Sequence, residues 1–191
     1  MYETTEARRQ SRRYRELSLR DPLTGLYNRR YVDEQFARLL TGAVDPASGE
    51  PVAVSVALLD LDHFKRVNDT WSHEVGDQVL RDVGALLQQA ESDGPGDARS
   101  FAARMGGEEF LLVVVGAEPS AAAQHLEALR QEVATHPWSS VAEGLAVTVS
   151  VGLASSAGVP APVPAELLGR ADAHLYRAKR QGRDRVVGDL G

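Results

Sequence analysis

The chain has 191 residues, 43% hydrophobic and 25% charged, which is enough for one well-buried domain and a short appendage. Its net charge of −6 argues against a nucleic-acid partner, so an anionic ligand must be met by local cations. Cysteine is absent, which excludes disulfides and thiolate zinc sites, and no apolar run is long enough for a membrane segment, so we expect a cytoplasmic location.

The first 20 residues differ in composition from the rest of the chain. They hold six arginines and three glutamates, with a thin heptad seam of Ala7, Tyr14 and Leu17. A solvated helix, an expression remnant and the end of a coiled coil from an upstream sensory domain all fit this pattern. The coiled coil is favoured because Asp21-Pro22 would stop the helix cleanly. We therefore predict a linker or signalling helix at 1–20 and one domain over 21–191.

A helix and then a strand are predicted next. The helix carries Val32, Phe36, Leu39 and Leu40 on one face, and a loop follows it. Residues 52–60 form a near-continuous apolar run, which indicates a central strand covered on both faces. Because that run ends at Asp60, its carboxylate would lie at the carboxyl end of the strand, a usual ligand position in α/β sheets.

A short helical turn is predicted at 63–69, with a loop at 71–77. Gly76-Asp77 is expected to open the following helix. The strand-like runs 100–105 and 110–115 then flank Gly106-Gly107, which predicts a tight β-hairpin.

The last third of the domain is predicted to contain a helix capped by Ser120, a strand at 145–154 and a final helix. Pro164 fits the first turn of that helix, and residues 183–187 could return as a short strand. This order predicts an α+β fold with a mainly antiparallel central sheet flanked by helices.

Carboxylates and cations recur around the predicted sheet edge. Asp60 ends one strand, and Glu108-Glu109 follow a hairpin that could pair beside it, so oxygen donors suited to Mg²⁺ or Mn²⁺ would come together. Lys65, Lys179 and Arg183 could offset phosphate charge. The layout is typical of phosphoryl or nucleotidyl transfer, and no P-loop motif is present.

Six motifs in register resemble the GGDEF family of diguanylate cyclases, over residues 21–187. They are Asp21-x-Leu23-Thr24-Gly25-Leu26-x-Asn28-Arg29-Arg30, Asp60-Leu61-Asp62-x-Phe64-Lys65-x-Val67-Asn68-Asp69, His73-x-x-Gly76-Asp77, Arg104-x-Gly106-Gly107-Glu108-Glu109-Phe110, Ser150-x-Gly152, and Ala171-Asp172-x-x-Leu175-Tyr176-x-Ala178-Lys179-x-x-Gly182-Arg183. The resemblance implies a nucleotidyl-cyclase-like palm that condenses two GTP into cyclic di-GMP and two pyrophosphates. It also implies a homodimer whose active sites face each other.

Family roles carry over to individual residues of this chain. Two Mg²⁺ (or Mn²⁺) ions per active site would be bound by Asp60, the Leu61 carbonyl and Glu108, with Glu109 contributing. Glu108 and Lys65 are the expected catalytic residues, with Glu108 as the group that helps to deprotonate the attacking 3′-hydroxyl. The remaining expected substrate-binding residues are Asn68, His73, Asp77, Gly106, Gly107, Lys179 and Arg183.

Within that set, Asn68 and Asp77 match the family's guanine readers. A carboxylate can accept from guanine N1–H and N2–H₂ together, and adenine has no such donor pair, so Asp77 favours GTP over ATP. For the isolated His73 a loop or structural role is favoured over catalysis. Structural roles are also favoured for Asp62 and Asp69, and packing and ion pairs for Arg29, Arg30 and Asp172.

The sequence departs from the family in two places. Ser72 replaces the usual glycine before the histidine, which predicts strain if that backbone needs a positive φ. The Arg-x-x-Asp product-inhibition pattern reads Asp97-Ala98-Arg99-Ser100 here, so little product inhibition is expected. Arg130 could at most add a secondary contact.

Two other function classes stay open at this point. A GGDEF-like regulatory module could bind GTP without turnover, although such modules usually have decayed hairpin or Asp60 positions. An adenylate-cyclase-like or polymerase-like enzyme could share the carboxylate palm, but Asn68 and Asp77 argue against it.

Overall fold

The computed structural model describes residues 18–45, 47–96 and 98–189, in which helices flank a six-stranded sheet. The helices and strands are β1 (Tyr27–Asn28), α1 (Arg29–Thr41), β2 (Val54–Leu61), α2 (Phe64–Thr70), α3 (His73–Ser92), β3 (Arg99–Gly106), β4 (Glu109–Val115), α4 (Pro119–Thr135), a 3₁₀ turn (Trp138–Ser140), β5 (Val149–Ser155), α5 (Pro164–Arg180) and β6 (Arg185–Gly188). The expected α+β class is confirmed.

The sheet is mixed, with the order β1-β3-β4-β2-β5-β6. Its three inner pairings are antiparallel, and the two edge strands β1 and β6 pair in parallel with their neighbours. The prediction of a mainly antiparallel sheet therefore holds for the centre and not for the edges. Strand β2 lies between β4 and β5, and all of its residues except Leu58 are buried, which confirms the predicted central strand.

Hydrophobic packing fills both faces of the sheet. Helices α2, α3 and α4 cover one face, and α1 and α5 cover the other. Helix α5 approaches β5 so closely that a Cβ on Gly152 would lie 2.1 Å from the carbonyl oxygen of Ala171. This close approach brings the C-terminal end of α5, with Lys179, to the end of the central strands.

The structure corrects the predicted boundary of α3. The expected loop at 71–77 is wrong, because α3 begins at His73 and only two residues separate it from α2. Ser72 is the N-cap of α3: its hydroxyl accepts a hydrogen bond from the Val75 N–H, and its φ of −178° is ordinary extended backbone. The strain predicted for serine at this position is therefore absent.

Smaller differences occur in the second half of the domain. Helix α4 begins at Pro119 with Glu118 as N-cap, two residues before the predicted Ser120 cap. Strand β5 begins at Val149, while Leu145 and Val147 are buried without belonging to a strand. Their alternating pattern reports burial, which loops can share with strands.

The predicted signalling helix falls mostly on residues 1–17, which lie outside the described residues. Among the residues that are described, no helix combines the length and apolar character needed to cross a membrane.

Candidate active site

The hairpin between β3 and β4 has a two-residue turn, Gly107-Glu108. Gly106 and Gly107 have φ angles of 141° and 51°, which residues with a Cβ rarely adopt, and Gly106 pairs with Glu109 across the hairpin. The tight turn predicted from the two glycines is therefore confirmed, and Glu108 lies at its tip.

Arg104 holds this turn in place. Its Nε and Nη2 donate to the Gly107 carbonyl oxygen at 2.9 and 2.8 Å, and its Nη1 lies 3.3 Å from the carboxylate of Asp21. The same carboxylate accepts hydrogen bonds from the backbone N–H and hydroxyl of Thr24. Burial by itself would raise the pKa of Asp21. The hydrogen bonds from Thr24 and the positive charge of Arg104 outweigh burial, so the pKa of Asp21 is lowered. Sequence reasoning missed this link between the hairpin and the segment before β1.

The end of β2 lies directly beside the hairpin turn. The Leu61 N–H donates to the Glu108 carbonyl oxygen at 3.3 Å, and Asp60 is paired with Glu109 between β2 and β4. The structure therefore places the backbones of all four residues predicted to form the metal region side by side.

Asp60 is a buried carboxylate with a cation against it. The residue is 9% exposed, and the Nζ of Lys179 lies 2.9 Å from its Oδ2. Burial raises the pKa of Asp60, Lys179 lowers it, and the negative charges of Glu108 and Glu109 raise it again, with a net rise. This end of the site concentrates more negative charge than Lys179 offsets, so an added cation would be stabilised here.

The donor chemistry of this end fits Mg²⁺. Within the described part of the chain, no three His, Asp or Glu side chains converge as a metal-binding group. Mg²⁺ does not need such a cage, because it is commonly held by one or two carboxylates together with waters and substrate phosphates. Asp60, Glu108 and the Leu61 carbonyl are the oxygen donors that could hold it.

The second end of the site is formed where α2 meets α3. Asn68 lies against Gly76 so closely that a Cβ on Gly76 would be 1.9 Å from the Asn68 Oδ1. Asp77 follows Gly76 on α3 and is exposed. The absence of a side chain at Gly76 thus lets Asn68 pack against α3 one residue before Asp77.

Known proteins match most of this chain. The family model "Diguanylate cyclase, GGDEF domain" matches residues 18–185. The chain belongs to the GGDEF family. It is 39% identical over 176 residues to the response regulator PleD of Caulobacter vibrioides, covering 91% of this chain and 36% of PleD. It is 38% identical over 172 residues to the diguanylate cyclase DgcP of Pseudomonas aeruginosa, covering 90% of this chain and 24% of DgcP.

Solved structures of GGDEF domains match the fold as well. The coiled coil and GGDEF domain of DgcB from Caulobacter crescentus, in complex with c-di-GMP, superposes with a TM-score of 0.81 and 33% identity, covering 98% of this chain and 94% of that one. The diguanylate cyclase SiaD in complex with its activator SiaC, from Pseudomonas aeruginosa, gives 0.78 and 34%, covering 98% and 68%. This GGDEF chain spans 36% of the length of PleD and 24% of the length of DgcP.

Three predicted site residues of the GGDEF domain have no side-chain hydrogen bond or salt bridge among the described residues. Lys65 is exposed on α2, His73 is the exposed first residue of α3, and Arg183 is half-buried in the turn after α5. Lys179 differs from them, because its ammonium group is already paired with Asp60.

Several residues predicted to be structural can now be placed. Asp62 is buried and accepts hydrogen bonds from Thr148 and Ser150, so its structural role is confirmed. Arg30 pairs with Glu34 at 2.8 Å. The ion pairs predicted for Arg29 and Asp172 are absent among the described residues; these side chains line a cavity of about 310 Å³ beside Glu109.

The region of the product-inhibition pattern is only partly described. Asp97 lies outside the described residues, while Arg99 and Ser100 begin β3, at the end of that strand away from the hairpin turn. Arg130, the proposed secondary contact, is already bonded to Glu127 and Asp184.

Proposed function

We propose that this GGDEF domain is a diguanylate cyclase that condenses two GTP into cyclic di-GMP and two pyrophosphates, with Mg²⁺ (or Mn²⁺) and as a homodimer. The observation that carries the proposal is that one fold contains two groups of residues, called here the carboxylate end and the base end of the site. A carboxylate end (Asp60 and Glu108, with Lys179) lies at the end of β2, and a base end (Asn68 and Asp77) lies on α2 and α3, the two helices that follow β2 in the chain. The name of DgcP and the c-di-GMP bound to DgcB support the same chemistry.

In this proposal the base end selects the nucleotide. The Asp77 carboxylate accepts from N1–H and N2–H₂ of guanine, and the Asn68 amide adds a further hydrogen bond. Adenine presents an acceptor at N1, so it would leave the Asp77 carboxylate without its donors.

The cationic side chains around the carboxylate end position the triphosphate and offset its negative charge. Lys65, Lys179 and Arg183 bind phosphate oxygens, and Glu108 takes up the proton of the attacking 3′-hydroxyl. Asp60, Glu108 and the Leu61 carbonyl would hold the divalent ions, which when bound would supply positive charge at the phosphates and lower the pKa of that hydroxyl.

Incubation of the protein with Mg²⁺ and either GTP or ATP, followed by separation of the nucleotides, tests this function. The proposal expects cyclic di-GMP and pyrophosphate from GTP and no cyclic product from ATP. Bound but unchanged GTP would indicate a regulatory module, and a cyclic product from ATP would indicate another class of cyclase.

Dimerisation is tested by dilution. One site holds one GTP, so a two-fold symmetric product needs two subunits face to face. We expect activity per subunit to rise with protein concentration, and activity that stays constant on dilution far below the dimer dissociation constant would contradict the homodimer.

PleD and DgcP extend well beyond the matched region, which supports an upstream sensory domain for this chain as well.

A further inference from the structure

The turn after α5 has an uncommon backbone. Arg183 and Asp184 follow Gly182 with φ angles of 66° and 45°. Two consecutive left-handed residues with side chains are disfavoured, because each Cβ crowds the following carbonyl oxygen. Such a conformation persists only where surrounding contacts hold it.

The first of these contacts comes from Asp62. The Asp184 N–H donates to the Asp62 Oδ2 at 3.1 Å. The Asp62 carboxylate is itself fixed, because it is 7% exposed and accepts from the hydroxyls of Ser150 at 2.6 Å and Thr148 at 2.7 Å. Asp62 therefore ties the turn to the sheet only two residues beyond Asp60.

The second contact comes from α4. Arg130 Nη1 donates to the Asp184 Oδ1 at 2.5 Å. The guanidinium is held from its other side by Glu127, with bonds of 2.9 and 2.6 Å, and the Arg130 side chain is 14% exposed. Arg130 therefore cannot move without breaking three charged hydrogen bonds.

Arg183 itself is fixed at its backbone and free at its charged end. Its N–H donates to the Ala178 carbonyl oxygen at 3.0 Å, and its own carbonyl oxygen accepts from the Arg185 Nε at 2.9 Å. Within the described ranges, its guanidinium has no hydrogen bond or ion pair. A pre-positioned, unpaired guanidinium is suited to bind a phosphate.

We infer that Asp62 and Arg130 are positioning residues for Arg183: together they hold its left-handed backbone and so present its guanidinium to the triphosphate of GTP. The inference rests on the proposed function, in which Arg183 is a phosphate ligand. It assigns a role in substrate binding to two residues that need not touch the substrate.

The test compares GTP with guanosine, both measured by competition against a fluorescent GTP analogue in the presence of Mg²⁺. Arg130→Met should lower the affinity for GTP about tenfold, the equivalent of one charged hydrogen bond, and leave guanosine binding unchanged. Asp184→Asn should act in the same direction, and Arg130→Lys should restore part of the loss. Arg81→Met, on the exposed face of α3, is the matched control and should behave as wild type.

A double-mutant cycle with Arg183→Ala decides how Arg130 acts. If it acts through Arg183, Arg130→Met has no further effect on GTP affinity in the Arg183→Ala background. Additive losses would overturn the inference, and so would equal losses for GTP and guanosine. If Arg130→Met does not fold, the cycle is run with Asp184→Asn.

Failure of the proposed function gives a different result. If the wild-type protein binds GTP better than guanosine and forms no cyclic product, the cyclase assignment is refuted. The double-mutant cycle still tests the role of Arg130 in that case. Equal wild-type affinity for GTP and guanosine would overturn the phosphate role of Arg183, and the inference with it.

Discussion

The two ends of the candidate site are built in different ways. The carboxylate end belongs to the sheet: Asp60 lies in its central strand, is 9% exposed, and is paired with Lys179. The base end lies on two helices joined by two residues, where Asn68 packs against Gly76 and the exposed Asp77 follows that glycine. One end depends on buried charge, and the other depends on the space left by a missing side chain.

This difference predicts which changes each end can tolerate. Buried charges interact strongly because little water screens them, so the carboxylate end should respond to any change of charge. The base end should respond to changes of volume and of hydrogen-bonding groups, with small effects on the chemical step.

The largest effect is expected from Glu108→Gln. Removal of this carboxylate from the hairpin tip takes away a metal ligand and the proposed base, so cyclic di-GMP synthesis should fall by at least about 100-fold. The fold should be retained because Glu108 lies in a turn and not in the core. The test compares steady-state rates and thermal melts of this variant with those of Glu132→Gln, a change at an exposed position on α4. Product formation at a near wild-type rate would refute the role of Glu108.

The next effect is expected from Lys179→Met. Loss of the Lys179 partner should raise KM for GTP by roughly tenfold, the value of a hydrogen bond to a charged group. It should also raise the pKa of Asp60 further above its ordinary value of 3.8, since burial and the two glutamates then act unopposed. Because Asp60 must be ionised to bind a cation, the acid side of the pH–rate profile should move to higher pH. An unchanged acid limb would show that Lys179 does not control Asp60.

The raised pKa of Asp60 should also make the stability of the fold depend on pH. A carboxyl group with a raised pKa binds protons more readily in the folded state than in the unfolded state. Its contribution to stability is therefore fully present below pH 3.8 and is lost as the pH rises through the folded pKa of Asp60. Asp60→Asn should flatten this part of the stability profile, as measured by denaturant unfolding at several pH values.

A smaller effect is expected from Gly76→Ala at the base end. The added Cβ would lie 1.9 Å from the Asn68 Oδ1, so the Asn68 side chain must shift from its position against α3. Overpacking of this kind costs about 1–3 kcal/mol, and we expect about a fivefold loss of GTP affinity. The maximal rate with saturating GTP should change little. A fall in that rate with unchanged GTP affinity would contradict the division between the two ends.

The smallest effect is expected at the start of β3, away from both ends. Asp97 would repel a phosphate, Ser100 offers no carboxylate, and Arg130 is occupied by two acidic partners. Titration of cyclic di-GMP into product-free protein should show little binding, and Arg99→Ala should leave activity unchanged. Tight binding that Arg99→Ala abolishes would reveal a shifted inhibitory site.

The parts of the site that sequence predicts are those encoded by short patterns. The apolar run before Asp60 gave the central strand, and the two glycines before Glu108 gave the hairpin, because each pattern reports local backbone and burial. The start of α3 was missed because Ser72 was compared with a family glycine, although serine is a good helix N-cap.

The supporting contacts could not be predicted because they join distant parts of the chain. The pairs Arg104–Asp21, Asp184–Asp62 and Arg130–Asp184 are separated by 83, 122 and 54 residues. The sequence around each of these residues does not indicate its partner, which only the packing of the folded chain reveals.

The most direct test of the account measures binding and turnover together, with GTP and ATP, for Glu108→Gln and Asp77→Ser. The account predicts that Glu108→Gln still binds GTP in preference to ATP and forms product at least about 100-fold more slowly. It predicts that Asp77→Ser keeps its rate with saturating GTP and loses about tenfold in discrimination against ATP. Product from Glu108→Gln at a near wild-type rate, or strict GTP specificity in Asp77→Ser, would contradict the assignment of chemistry to one end and selection to the other.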